Sequence, residues 1–470
     1  MQSKNILFIR CHWCYCILMI FAFSACKKLV QVAEPIDTIT TPDTFRDSAL
    51  ATSAVVEIYS DLAYGKNILR FSTGSITIDA GMSADELIPF GDGSNQFLIN
   101  KLLSTNTELS STLWSPAYFD IYMSNAVIEG LKSSTTLSTS LKNQLSGEAK
   151  FLRAYCYFYL VNLFGDVPLN LSTEWEKTSL LGKSAVELIY AQMIADLRDA
   201  QSLLYDDYSV SGGDRIRANK WAARALLSRI YLYTKDWENA EAQATEVINN
   251  TGTYSLTDDP QGAFLVNNSE AIFQLQTINP IIYATQEARK FIPTSHTKSP
   301  SFYLTSQLLK AFEPGDKRRS QWVDSTKSGG KYYYYPSKYK VRQGSAGNIT
   351  EYNTPFRLAE QYLIRAEARA QRNNLADAIN DLNVIRERAG LVDLSTSLTQ
   401  TEVLAAVAQE RRIELFAELG HRWFDLKRTG VADSVLSLIK SDWTADAKLY
   451  AIPLSEIQRD PYLTQNAGYN

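Results

Sequence analysis

Histidine is nearly missing from this chain. Three occur in 470 residues, and His12 sits in an apolar N-terminal run. The other two, His296 and His421, stand alone in sequence, so a hydrolytic triad or a zinc site is a poor account of the protein. Cysteine is also thin. Of five, Cys11, Cys14 and Cys16 fall in the same N-terminal run. Their spacing mimics a metal cluster, but in an apolar export segment they are more simply hydrophobic filler. Without that run only Cys26 and Cys156 would remain, too few for a disulfide framework or a cysteine metal site. A phosphate-cradling loop is lacking as well, because Gly91-Asp92-Gly93-Ser94 has neither the helix nor the lysine such a loop requires. Long basic runs are absent. The net charge is −4, and removing Lys4 and Arg10 with residues 1–25 leaves 45 basic against 51 acidic residues, a net of −6. That balance argues against a nucleic-acid partner.

The apolar run from Cys11 to Ala25 is interrupted only by His12 and Ser24 and follows Lys4 and Arg10. It is too short to span a bilayer comfortably and reads as an export signal covering residues 1–25. Phe23-Ser24-Ala25-Cys26 resembles a bacterial lipobox, with Phe where Leu is usual, so Cys26 is the expected lipidation site. Several acyl chains on one cysteine give stable anchoring where a single chain would be marginal. Residues 26–40 are polar and contain proline, as a tether would, and the body is expected over 41–470.

Hydrophobic residues make up 45% of the chain and charged ones 21%, as in a globular protein. From Gly147 to Pro168 nearly every side of a helical wheel is apolar. Leu152, Cys156, Tyr159 and Leu163 form one stripe, and Phe151, Tyr155 and Phe158 a second beside it. Such a helix must be packed all round, with Gly165 and Pro168 ending it. Arg153 lies inside that surface and needs a partner, for which Glu148 and Asp166 are nearest in sequence. Residues Gly65 to Leu103 lose periodicity and read as loops. An internal repeat then appears between Arg217–Asn250 and Pro355–Arg388. At constant offset Leu226 falls on Ile364, Ser228 on Ala366, Trp237 on Leu375, Ala240 on Ala378 and Val247 on Ile385. Each copy reads as helix, tight polar turn, helix. Hairpins of roughly 34 residues that must stack to bury their apolar faces are tetratricopeptide-like. The expected fold is mainly α: a helical-hairpin scaffold forming an α-α superhelix, with an irregular loop-rich lobe and a few short strands. The helical half spans about 41–250, the lobe about 251–354 and the C-terminal helical part about 355–470. Within the lobe, Ala271–Gln276 alternates enough to be a strand.

Several segments are similar to the SusD/RagB family of outer-surface nutrient-binding lipoproteins. They are Leu152-Arg153-Ala154-Tyr155 with Leu163-Phe164-Gly165-Asp166-Val167-Pro168, Glu410-Arg411-Arg412-Ile413-Glu414-Leu415 with Gly420-His421-Arg422-Trp423-Phe424-Asp425-Leu426, Ala451-Ile452-Pro453 with Glu456-Ile457, and Leu463-Thr464-Gln465-Asn466 with Gly468-Tyr469. Their order is the family's, and with the lipobox they span essentially the whole chain beyond the leader. The resemblance implies an oligosaccharide-binding protein, or a peptide-binding one, on the outer face of the outer membrane. It also implies nutrient uptake in partnership with a SusC-like TonB-dependent transporter, and binding rather than catalysis.

Glu410 and Glu414 share a helical face, as a glycosidase pair could, but Arg411 and Arg412 interleave them and structural ion pairing is the simpler reading. Arg422 and Asp425 are read the same way. Asp85, Glu86 and Asp92 could donate oxygens to calcium, although solvated loop acids are the default and no cofactor is expected. Aromatic residues remain, with tyrosine alone at 26. A sugar's C–H face packs on an aromatic ring while its hydroxyls seek polar groups, and Trp and Tyr supply both needs. The expected ligand-binding residues are therefore Trp322, Tyr333, Tyr335, Tyr339 and Arg342 in the lobe, with Tyr332 and Gln343 beside them. Tyr64, Phe90 and Asn95 are weaker candidates. The competing account is that alternate tyrosines of a strand face the core.

Overall fold

A computed structural model describes residues 41–64, 71–276 and 282–469. The export leader, the tether and Cys26 lie outside the described residues. The compact body runs from Phe45 to the C-terminus. No helix among the described residues is long and apolar enough to cross a membrane.

The scaffold begins with α1 (Ser48–Ala63), whose first turn is capped by the Asp47 carboxylate accepting from the Ala49 and Leu50 amides. A short helix, α2 (Ser75–Ser83), follows where the sequence suggests only loops. Every residue of α2 is buried, so it has no polar face and leaves no periodic trace. Its start is held from afar, with the Glu287 carboxylate accepting the Gly74 amide at 3.0 Å. Next come α3 (Ser115–Ser133), α4 (Thr139–Phe164) and α5 (Val186–Leu203).

Helix α4 is the expected central strut. It is capped by Ser138 and stopped at Gly165, where φ is 75°, a value glycine takes without a Cβ clash. Its rings reach in several directions: Phe151 packs on Phe273, Tyr155 on Phe71 and Phe356, and Tyr159 on Phe424. Arg153, however, pairs with neither sequence neighbour. Its guanidinium forks onto Asp196 of α5 at 2.6 and 2.9 Å and donates to the Asn125 side chain of α3 at 2.7 Å. Glu148 is taken by Arg217, and Asp166 accepts the Val186 amide. The charge thus fixes α4 between its two flanking helices.

The repeat is realised residue for residue. Helices α6 (Lys220–Tyr233) and α7 (Trp237–Asn249) match α8 (Leu358–Gln371) and α9 (Leu375–Arg388). Both turns hold a positive φ at equivalent positions, 60° at Lys235 and 62° at Asn373. Fully buried Ala240 and Ala378 let the paired helices approach closely, and α7 packs directly on α8. Helix α10 (Gln400–Glu414) extends the stack behind a capping box of Thr399 and Glu402, and α11 (His421–Arg428) completes it.

Among the described residues, six short strands form three antiparallel pairs. Strand β1 (Leu87–Pro89) pairs with β3 (Phe302–Leu304), and β2 (Ala271–Leu275) pairs with β6 (Asn353–Arg357). A hairpin joins β4 (Val323–Ser328) to β5 (Lys331–Pro336). Gly329 and Gly330 turn it with φ of 55° and 80°, the double positive φ that a two-residue loop demands.

Candidate ligand-binding face

Beneath the β4–β5 hairpin lies a buried ionic network. Arg318 holds Asp316 at 2.9 Å and also reaches Glu410 and Glu414. Arg357 joins Glu270 and Glu418, each at 2.9 Å, and contacts Glu414. Arg388 bridges Glu270 and Glu414, while Lys338 reaches Glu418 and donates to the Glu414 carbonyl. Burial alone would raise the Glu414 carboxyl, but Arg388, Arg357 and Arg318 together hold it well below the usual range. Glu410 and Glu414 are therefore scaffold, bolting the lobe to α10. Asp425 is likewise shared by Arg411 and Arg428, and Arg422 pairs with Asp85.

The oxygens considered for calcium go different ways. Asp85 is taken by Arg412 and Arg422, and Glu86 accepts the Ala417 amide. Burial and the neighbouring Asp85 push Glu86 up to about 8. Asp92 sits in an exposed turn with Ser94 and Asn95. His421 is buried, and desolvation together with Arg229 and Arg411 holds its imidazole well below the ordinary value.

Three of the five expected ligand-binding residues are sealed inside. Trp322 is 0% exposed, and its indole donates to the Pro260 carbonyl at 3.0 Å. Phe264 packs on that ring from one side, and the Lys338 ammonium stands 4.5 Å from it. Tyr339 is 7% exposed, packs on Phe264, and its hydroxyl accepts the Thr354 amide. Tyr335 is 2% exposed and donates to Asp324, its cross-strand partner. A ring with no free face cannot stack on a ligand, so these three serve the fold. The cover of Trp322 and Tyr339 comes from Pro260, Phe264 and Phe416, segments distant in the chain. Arg342 is half-buried and donates to the Ile292 carbonyl at 3.0 Å.

Tyr333, like Arg342, is half-buried. Its ring meets Phe90 and Tyr303 edge-on, each at 5.2 Å between centroids. Phe90 follows β1 and Tyr303 lies in β3, so the β1–β3 pair and the β4–β5 hairpin meet in one aromatic ridge. Burial, with Tyr333 close by, raises the Tyr303 phenol. Phe90 stays 45% exposed. On the other face of β5, Tyr332 is 61% exposed with the Lys327 ammonium 5.4 Å from its ring, and Arg319 lies 4.9 Å from the ring of Tyr334. Tyr303 carries no signal in the sequence. Only pairing with β1 brings it here. Asn95 folds back on its own turn, accepting the Phe97 and Leu98 amides.

Residues 230–469 match the SusD family, and residues 82–232 match a SusD-like family described as starch-binding and associating with the outer membrane. The chain belongs to the SusD family. Across 97% of this chain and 98% of its relative, it is 25% identical to SusD-like protein P25 of Formosa agariphila. A SusD superfamily protein from Bacteroides vulgatus shares the fold with a TM-score of 0.79 at 24% identity, covering 90% of this chain and 99% of that one. Surface glycan-binding protein A of Bacteroides thetaiotaomicron, solved in complex with laminarihexaose, gives 0.73 at 20% identity over 88% and 98%. Two of the segments that resemble SusD proteins in sequence are structural here: Leu152–Tyr155 lies within α4, and Gly420–Leu426 opens α11.

Proposed function

We propose that this SusD-family protein is a surface lipoprotein that captures a glycan on the Phe90–Tyr303–Tyr333 ridge and delivers it to a SusC-like TonB-dependent transporter. The observation that carries the reading is the ridge itself. Two strands and a loop, far apart in sequence, converge to set half-buried Tyr303 and Tyr333 against exposed Phe90, where a sugar's C–H face can pack and the phenols can hydrogen-bond. The laminarihexaose bound to a neighbour of the same fold supports a glucan as the first ligand to try. Binding without turnover is supported by the buried carboxylates: Glu410, Glu414 and Asp425 are committed to guanidinium groups.

A protein partner is supported by a separate apolar area. Phe119 borders a cavity of about 440 Å³ that Ser179 and Leu181 also line. Along the same stretch Tyr122, Leu171 and Leu180 are exposed, and Trp175 is 69% exposed. Exposed aromatic and aliphatic side chains beside a cavity also lined by Glu456, Arg459 and Asp460 suit a docking face. Lipidation of Cys26 would hold the body at the outer membrane, facing out.

Calorimetry with laminarin-, starch- and xylan-derived oligosaccharides tests the first half. Binding of one of them, weakened by Tyr333→Ala with the melting temperature unchanged, supports it. A protein that ignores every glycan and binds peptides instead refutes it. For the second half, Trp175→Glu should abolish co-purification with the transporter, and Cys26→Ser should release the protein from membranes.

A further inference from the structure

Antiparallel pairing sets Ile88 opposite Tyr303, and the Phe90 amide donates to the Ser301 carbonyl at 2.9 Å. Side chains two apart on a strand share a face, as do directly opposed residues. Ile88, Phe90, Tyr303 and Thr305 therefore lie on one face of the β1–β3 pair. Phe90 and Tyr303 belong to the aromatic ridge. Ile88 and Thr305 instead line a cavity of about 270 Å³, whose remaining wall includes Gln307, Ile439, Ser441 and Asp442. The ridge and the cavity are thus two ends of one continuous face, about 7 Å apart along the strand.

The cavity's chemistry is mixed, with aliphatic walls from Ile88, Leu98 and Ile439 and hydrogen-bonding groups from Gln307 and Ser441. Every charged group on its lining is already matched. Asp85 holds two guanidinium groups. The Lys440 ammonium donates to the Met82 and Ser83 carbonyls and to the Asn100 side chain, using all three N–H bonds. Asp442 pairs with Lys101 at 2.6 Å. Apolar walls with neutral hydrogen-bonding groups suit an uncharged sugar unit better than a uronate or sulfate, which would find no free cation there among the described residues.

We propose that this cavity is a second sugar subsite continuous with the ridge, so that the preferred cargo is an extended, uncharged oligosaccharide and not a mono- or disaccharide. The inference rests on the ridge being a glycan site. It is tested on the full chain with matched dimers and hexamers: laminaribiose and laminarihexaose, maltose and maltohexaose, xylobiose and xylohexaose. In at least one pair the hexamer should bind about ten-fold more tightly than the dimer. Ser441→Trp, at an exposed position, fills the cavity and should erase that gap while leaving the dimer's affinity unchanged. Gln307→Ala should narrow it, whereas Tyr333→Ala should weaken dimer and hexamer together. Equal affinity for dimer and hexamer, or a gap unaffected by Ser441→Trp, overturns the subsite and leaves the ridge standing. A wild-type protein that binds none of the six overturns both.

Discussion

Arg229 and Lys327 are both cations laid against aromatic rings, in different parts of the molecule. Arg229 lies 4.3 Å from Phe356, fully buried, with its fork closed on Glu360. Lys327 stands 5.4 Å from Tyr332 at the surface of the β4–β5 hairpin. The contact is alike but the surroundings invert its meaning. Inside the scaffold a charge stripped of its partner has no water to turn to, so each pair is obligatory for folding. On the hairpin, solvent screens the charge and either group can return to water, so the contact is dispensable. The comparison predicts that damage to the scaffold shows as lost stability, and damage to the ridge as lost affinity.

The sharpest test of the scaffold side is Glu414→Ala, which leaves Arg318, Arg357 and Arg388 short of their common anion. It should cost about 3–5 kcal/mol in denaturant unfolding. Trp322→Ala follows, at about 3–5 kcal/mol from the cavity it opens. If it lowered glycan affinity while the fold kept its stability, Trp322 would belong to the ridge after all.

A third test uses pH. Burial pushes the Glu287 carboxyl up to about 7 from an ordinary 4.5. The folded protein therefore keeps the proton over a range where the unfolded chain has lost it. Stability on this account is highest below pH 4.5 and falls as pH rises toward 7, by about 3 kcal/mol at ~1.4 kcal/mol per pH unit. Glu287→Gln can still accept the Gly74 amide and should flatten that slope in melts recorded from pH 4 to 8. An unchanged slope would exclude Glu287 as its source. The smallest effect on folding belongs to Tyr332→Ala, within about 0.5 kcal/mol as for most surface changes, and because Tyr332 lies on the face of β5 away from the ridge, glycan affinity should not change. A large drop in stability there would erase the distinction between the two regions.

Within the candidate site, the composition of the lobe pointed to the tyrosine-rich hairpin without telling its buried rings from its open ones. Alternation along Tyr332–Tyr335 says that neighbouring rings face opposite ways, but both faces of β5 are partly covered. Which ring stays open depends on what arrives over it. Pro260, Phe264 and Phe416 close over Trp322 and Tyr339, whereas Phe90 and Tyr303 meet Tyr333 edge-on. The same limit hid α2, buried on every side, and the partner of Arg153.

What the sequence determined unaided is everything set by short-range pattern. The paired hairpins, their turns, the central apolar helix and its glycine stop all follow from periodicity and backbone sterics acting over a few residues. Tertiary structure alone decided which acids meet which guanidiniums and which tyrosines see solvent. Those outcomes depend on surfaces contributed by segments as distant as Asp85 and Arg422 or Phe90 and Tyr333, and no local pattern encodes the meeting of two such segments.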